Sequence, residues 1–378
     1  MQISIVDRIR ARAAKAPDAL AASGGGSRLS YGELDRRSNG LARWLSAKGV
    51  RAEVPVALLM EPSPDFAVAA LAVWKAGGAY LSPDPSLPDG ELGSILDDAA
   101  APVAITHRRL AAGIGIDSRF LADLDVAGPE IFRDSGTPLP AACAPDDLAF
   151  IAYAAEAGRY RGIEFNHRSL TGMVDWHHRA FGVTSMDRAS QSAPAGACES
   201  LWEIWPYLAA GASVHFAEEG IRNSPALLRS WISAERITAA FAPSGLAAAG
   251  WPGHPPRFVL TPAAGRSAQD SMAPLTVATY GPPECLSMAL CGGEAAAGSR
   301  VYVLDENMYP AELGVEGDLY VAGTAVARGY RNAPGLTAMK FGPDSSPAGG
   351  RCFKTGERAR VLPNGRVQPV DGRPSWLN

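Results

Sequence analysis

Two stretches hold the residues from which nucleotide chemistry could be built: Tyr153–Leu170 (YAAEAGRYRGIEFNHRSL) and Tyr280–Glu284 (YGPPE). The first places Gly158 beside Arg159 and Arg161, and the second ends in the carboxylate of Glu284. Handling a triphosphate takes backbone N–H groups, hydroxyls and Mg²⁺ to neutralise its charge. Both stretches have the frame of such a motif and lack the atoms that would do the handling. Ala154, Ala155 and Ala157 offer no hydroxyl, and Glu156 adds a negative charge that would repel phosphate. Read as residues alone, Ala154–Gly158 is an ordinary turn between a strand and a helix. Two other constellations are weaker. Cys198 and His215 could form a nucleophile and base, but nothing in the sequence places them together. His177-His178 falls on a helical pattern and reads as surface, not as a metal site.

These residues belong to a chain of 378 residues, long enough for one large multi-layer unit or two lobes. Its 47% hydrophobic and 20% charged fractions are those of a soluble globular protein. A net charge of −4 supplies no basic field for nucleic acid. The five cysteines show no CxxC or Cys/His spacing, which argues for reduced thiols in a cytoplasmic protein. Charges at Asp7, Arg8, Arg10 and Arg12 interrupt any signal-peptide core. The longest apolar run, Phe66–Trp74, is too short for a bilayer and reads as a buried helix. No membrane association is expected.

The elements that would position the chemistry follow an alternating plan. Pro55–Met60, Pro102–Thr106, Leu148–Tyr153 and Phe258–Thr261 are short, non-alternating apolar runs, as in strands buried on both faces. Helical patterns lie between them at Tyr31–Lys48 and Pro64–Ala76, the first opened by a capping box of Ser30 and Glu33. Such alternation predicts an α/β fold with parallel sheets. After about Ser299 the runs Val301–Leu304, Gly317–Val321 and Arg366–Val370 read as a small β-rich subdomain. Ala111–Pro145 has weak periodicity and is expected to be an irregular surface connection.

Along nearly the whole length the sequence resembles the adenylation domains of non-ribosomal peptide synthetases, in the adenylate-forming superfamily. Tyr153–Leu170 resembles the family's phosphate loop, Y-T-S-G-S-T-G-K-P-K-G-V with a following H-R-S-L, and Tyr280–Glu284 resembles Y-G-P-T-E. Leu29–Leu34 (LSYGEL), Trp74–Pro85 (WKAGGAYLSPDP) and Ser200–Leu208 (SLWEIWPYL) are similar to further core motifs. So are Asp318–Phe341 (DLYVAGTAVARGYRNAPGLTAMKF) and Phe353–Gly365 (FKTGERARVLPNG). Each match alone is weak, but their order along the chain leaves little room for coincidence.

The resemblance implies two packed, mostly parallel sheets with flanking helices over 1–298 and a small distorted β-barrel subdomain over 299–372. Residues 373–378 would be a hinge stub, and the family's small C-terminal domain is expected to be absent from the chain. It also implies roles, which several residues here depart from. Gly158, Arg159 and Arg161 would belong to the phosphate loop, Tyr280 and Glu284 to the ATP and Mg²⁺ site, and Glu357 would take the ribose-binding place of an Asp. Pro283 replaces a Thr, Ala278 an adenine-facing Asn, and Thr261–Ala264 (TPAA) the family's T-G-G-E. Cys198 stands where an Asp pairs with the substrate's ammonium, and a mostly neutral thiol cannot do so. Trp202 would line the substrate pocket, or is simply a core tryptophan. The reading is therefore a degenerate, inactive core serving as a structural or docking module beside condensation and carrier-protein domains, with no cofactor expected. The alternative is an active ligase using ATP and Mg²⁺ on an amino, aryl or keto acid. Ala338 and Phe341, in the stretch Leu336–Phe341, are expected to receive an MbtH-like protein.

Overall fold

The computed structural model describes residues 3–107, 121–132, 139, 143–156, 158–242, 246, 250–262, 275–287, 290–291, 294–296, 298–344 and 350–370. Three sheets organise them. A seven-stranded sheet runs, edge to edge, through Gly329–Tyr330, Arg159–Asn166, Leu148–Glu156, Ala79–Leu81, Pro55–Leu59, Val103–Thr106 and Leu121–Asp123. Its last five strands are parallel and its first two antiparallel. A nine-stranded sheet has a parallel centre from Leu20–Gly24 to Leu275–Tyr280. The expected α/β fold with two mostly parallel sheets is present.

Helix Pro64–Lys75 is buried at every position except Asp65 and contacts both of these sheets. A helix apolar all round belongs in the interior, which is why its sequence shows no polar stripe. Its one buried charge, Lys75, is satisfied by Asp35 Oδ1 at 2.7 Å, Ser38 Oγ at 2.8 Å and Asn39 Oδ1 at 2.7 Å. Burial pulls the ammonium pKa down to about 8, against the pull of Asp35. Those partners lie on helix Tyr31–Ala47, whose predicted capping box forms at Ser30 and Glu33.

The third sheet is formed by Ser299–Leu304, Glu316–Gly323, Arg351–Val361, Phe341–Pro343 and Val367–Pro369, all antiparallel. It is the β-rich unit expected after Ser299, and its described pairings leave it open rather than closed as a barrel. The expectation of an irregular connection over Ala111–Pro145 is corrected where that stretch is described. Leu121–Asp123 extends the seven-stranded sheet, and helix Gly128–Ile131 buries Ile131. Pairing to an existing edge supplies the order that local periodicity does not. Among the described residues no helix is long and apolar enough to cross a membrane. The hinge stub, 373–378, lies outside the described residues.

Candidate functional site

The stretch expected to be a turn from strand to helix is instead a β-hairpin. Leu148–Glu156 and Arg159–Asn166 pair to their ends: Tyr153 faces Gly162, Ala154 faces Arg161, Ala155 faces Tyr160 and Glu156 faces Arg159. Only two positions separate the strands, and Gly158 takes a left-handed φ of 75° there, which glycine adopts without strain. The ladder continues because the second strand is paired on both sides, Tyr330 facing Ile163 across its far edge. The helix begins only at His167, where Asn166 Oδ1 accepts from Ser169 N at 2.9 Å. A phosphate cradle needs successive N–H groups converging on one point. In a ladder those groups alternate in direction and are spent on the neighbouring strand.

The hairpin has two faces. On one, Tyr153 Oη donates to Asp98 Oδ2 and Tyr160 Oη to Glu91 Oε2, both at 2.8 Å. Gly162 is needed beneath Tyr153, since a Cβ there would lie 3.1 Å from the tyrosine ring. The other face carries Arg159, which is exposed, and Arg161, whose guanidinium lies 5.1 Å from the Tyr330 ring centre. Tyr330 Oη in turn donates to Glu284 Oε1 at 2.6 Å. The two motif stretches thus meet, but at a tyrosine. Tyr330 closes the ARGY wording in Asp318–Phe341, a stretch whose type and spacing assign it no role in the site.

Strand Leu275–Tyr280 delivers Glu284 through Gly281-Pro282 into a short 3₁₀ turn, Pro283–Cys285. Helix Cys198–Ala210 clamps that turn. Cys198 Sγ approaches Pro283 O at 3.7 Å, and one helical turn on, Trp202 Nε1 donates to Leu286 O at 2.8 Å. The structure therefore brings Cys198, Trp202 and Glu284 together. Cys198 is buried, and burial raises its thiol pKa well above the usual value, with Glu199 and Glu284 adding to the rise. The thiol stays neutral, as its residue type implied. Trp202 is 1% exposed, its ring 5.9 Å from Trp176 and 5.7 Å from His177. The space left beside it, bounded by Glu203, Tyr207, Phe241 and Leu260, is about 10 Å³, room for a single water. Glu203 is fully engaged, accepting from Ser192 N, Ala193 N and Gln191 Nε2.

Glu357 sits on the third sheet at 9% exposure, its N–H donating to Thr355 Oγ1 at 3.1 Å. That sheet joins the hairpin through an aromatic row, with ring centres 4.9 Å apart for Phe353 and Phe341 and 5.3 Å for Phe341 and Tyr330. Phe341 is consequently 5% exposed, which corrects the expectation that it shares a docking surface with Ala338. Ala338 is exposed on helix Pro334–Lys340, next to Met339 at 77% exposure. The side chains of Glu156, Ala278 and Tyr280 and residues 263–264 lie outside the described residues.

The histidines are also placed. His177 is not on the surface but 0% exposed, its Nε2 bonded to Tyr207 Oη at 3.0 Å, and half-buried His178 bonds Pro206 O at 2.6 Å. Tertiary packing, not the local pattern, turned that helix face inward. His215 is held by Ser23 Oγ at 2.8 Å and Ser213 Oγ at 3.0 Å, so the Cys198–His215 pair does not form. Among the described residues no cluster of three or more His, Cys, Asp or Glu could hold a metal ion.

The AMP-binding enzyme family matches residues 9–331. The chain belongs to that family. It is 36% identical over 378 residues to a linear gramicidin synthase protein of Brevibacillus parabrevis, covering 93% of this chain and 5% of that protein. It is 31% identical over 367 residues to surfactin synthase subunit 2 of Bacillus subtilis, covering 91% of this chain and 10% of that one. The chain thus spans a tenth or less of these relatives' lengths. The AMPPNP-bound structure of the nonribosomal peptide synthetase FmoA3 superposes with a TM-score of 0.87 at 26% identity, covering 98% of this chain and 43% of that one. This AMP-binding unit is homologous to the adenylation domains of non-ribosomal peptide synthetases.

Proposed function

We propose that this chain is an adenylation core that no longer adenylates and persists as a structural or docking module of a peptide synthetase, between condensation and carrier-protein domains. The observation that carries this reading is the hairpin. Pairing of Glu156 with Arg159 leaves two residues where a phosphate loop would need a cradle of free N–H groups. Other features agree. Glu284, the acid that would hold Mg²⁺, accepts the Tyr330 hydroxyl, and Pro283 beside it has neither hydroxyl nor N–H. Cys198 presents a neutral thiol where a substrate ammonium would need a carboxylate. These residues fit magnesium-ATP poorly. Gly158, Arg159, Arg161, Tyr280, Glu284 and Glu357 are accordingly the vestige of an ATP site, and Cys198 and Trp202 that of a substrate pocket.

The second reading, a working ligase on an amino, aryl or keto acid, is favoured by the likeness to AMPPNP-bound FmoA3 and by the two surviving arginines. ATP–pyrophosphate exchange over a broad panel of such acids separates the two. The expected result is no exchange above a heat-killed control. Clear exchange with any acid overturns the inactive assignment.

Docking gives a second test. Helix Pro334–Lys340 presents Ala338 at a shallow, exposed position where a partner's aromatic side chain can bury. We propose this as the contact for an MbtH-like protein. Co-expression should give a stable complex, and Ala338→Glu should dissolve it by burying an unpaired charge. Separate elution of the two wild-type proteins, or a variant that binds equally well, would remove this surface from the proposal.

A further inference from the structure

The tyrosine face of the hairpin borders a cavity of about 670 Å³, within the range of small-molecule sites. Met60, Ser82, Ile151, Tyr153 and Tyr160 are among its walls. It opens at the carboxyl ends of Pro55–Leu59 and Ala79–Leu81, parallel neighbours that pair Val56 with Tyr80. The connections leaving those two strands diverge. Helix Pro64–Lys75 packs on one face with Val56, Leu58 and Tyr80, whereas helix Asp89–Ala99 packs on the other with Ala57, Leu59 and Leu81. Diverging crossovers leave a crevice at the strand ends, the place where open α/β sheets take ligands. The motif stretches Trp74–Pro85 and Tyr153–Leu170 both contribute to its wall, but only topology brings them together.

The charges of the cavity say what could enter. Glu61, Asp84, Glu219 and Arg222 line it, three carboxylates against one guanidinium. Arg222 Nη2 already donates to Glu61 Oε2 at 2.8 Å. The rest of the wall is largely proline and aliphatic. We propose that this cavity binds an amphipathic organic cation, in the size range from an amino-acid amide to a short peptide amide. The ammonium meets the acidic side of the cavity, and the apolar body lies against Met60 and Ile151. An anionic phosphate compound is disfavoured by the same carboxylates.

L-Phenylalaninamide is a suitable probe, with 3-phenylpropionate as an anion of similar apolar body, and both are titrated calorimetrically into the full chain. The amide should bind at least about tenfold more tightly than the acid. Glu219→Lys, a change at an exposed position, should weaken amide binding about fivefold while leaving the thermal unfolding temperature unchanged. Equal affinity for both probes, no heat from either at millimolar concentration, or an unaffected variant would each overturn the proposal. The binding does not require nucleotide, so the result of the exchange assay leaves this inference untouched.

Discussion

Acidification from neutral pH to about 4 should strip this protein of most of its stability, and three histidines account for the steepest part of the loss. Burial pulls the pKa of His167 down to about 4 and those of His177 and His215 to about 3, from an ordinary 6.5. Arg188 and Arg28 add to the depression at His215, and His178 and Arg257 to that at His177. With folded values below the unfolded ones, the neutral rings favour folding above pH 6.5. As pH falls through that value the unfolded chain binds protons that the fold refuses. Each histidine then removes about 1.4 kcal/mol per pH unit; Glu203, whose carboxyl burial raises to about 8, takes up a proton in the fold and offsets one of them, leaving a net loss of about 3. A protein stabilised by roughly 5–15 kcal/mol cannot sustain that over more than a few units. Urea unfolding at several values between about pH 6 and 5, above the range of most carboxylates, reads the slope directly. His177→Gln should reduce it by about one proton's worth. A slope that is flat in the wild type, or identical in the variant, would refute the assignment.

Replacement of Trp202 by Ala should cost about 3–5 kcal/mol, the range for deleting a buried aromatic. The ring is enclosed by Trp176 and His177, and its loss would also leave Leu286 O without its donor. Trp202→Phe keeps much of the volume and should cost less than half as much. Denaturant midpoints for the two variants decide whether this residue is core or pocket wall. A loss below about 1 kcal/mol for the alanine variant would mean the site readily gives way, as a wall beside open space does. That outcome would restore the substrate pocket, and with it the ligase reading.

The vestigial site was legible in the sequence only as chemistry, not as geometry. The absence of hydroxyls at Ala154 and Ala155, the thiol of Cys198 and the proline at 283 are properties of residue types and need no structure to be seen. That the segment around Gly158 closes into a hairpin could not be read there. Strand length depends on what lies alongside, and Arg159–Asn166 is held in the ladder by Gly329–Tyr330, more than 160 residues away in sequence. Tyr330 sits between Arg161 and Glu284 for the same reason.

Local patterns did determine a good deal. The capping box at Ser30, the largely apolar helix Pro64–Lys75 and the doubly buried strands each follow from neighbours within a few residues, where propensity and periodicity act. The order of motifs along the chain specified the family. What only the tertiary structure decided is which way equivalent side chains face. His177 turned into an aromatic core, Phe341 turned beneath a helix whose Ala338 stays outside, and a cavity opened where two crossovers part. Each depends on contacts between segments far apart in the chain, and a side chain's environment is set by the partner that arrives, not by its own neighbours in sequence.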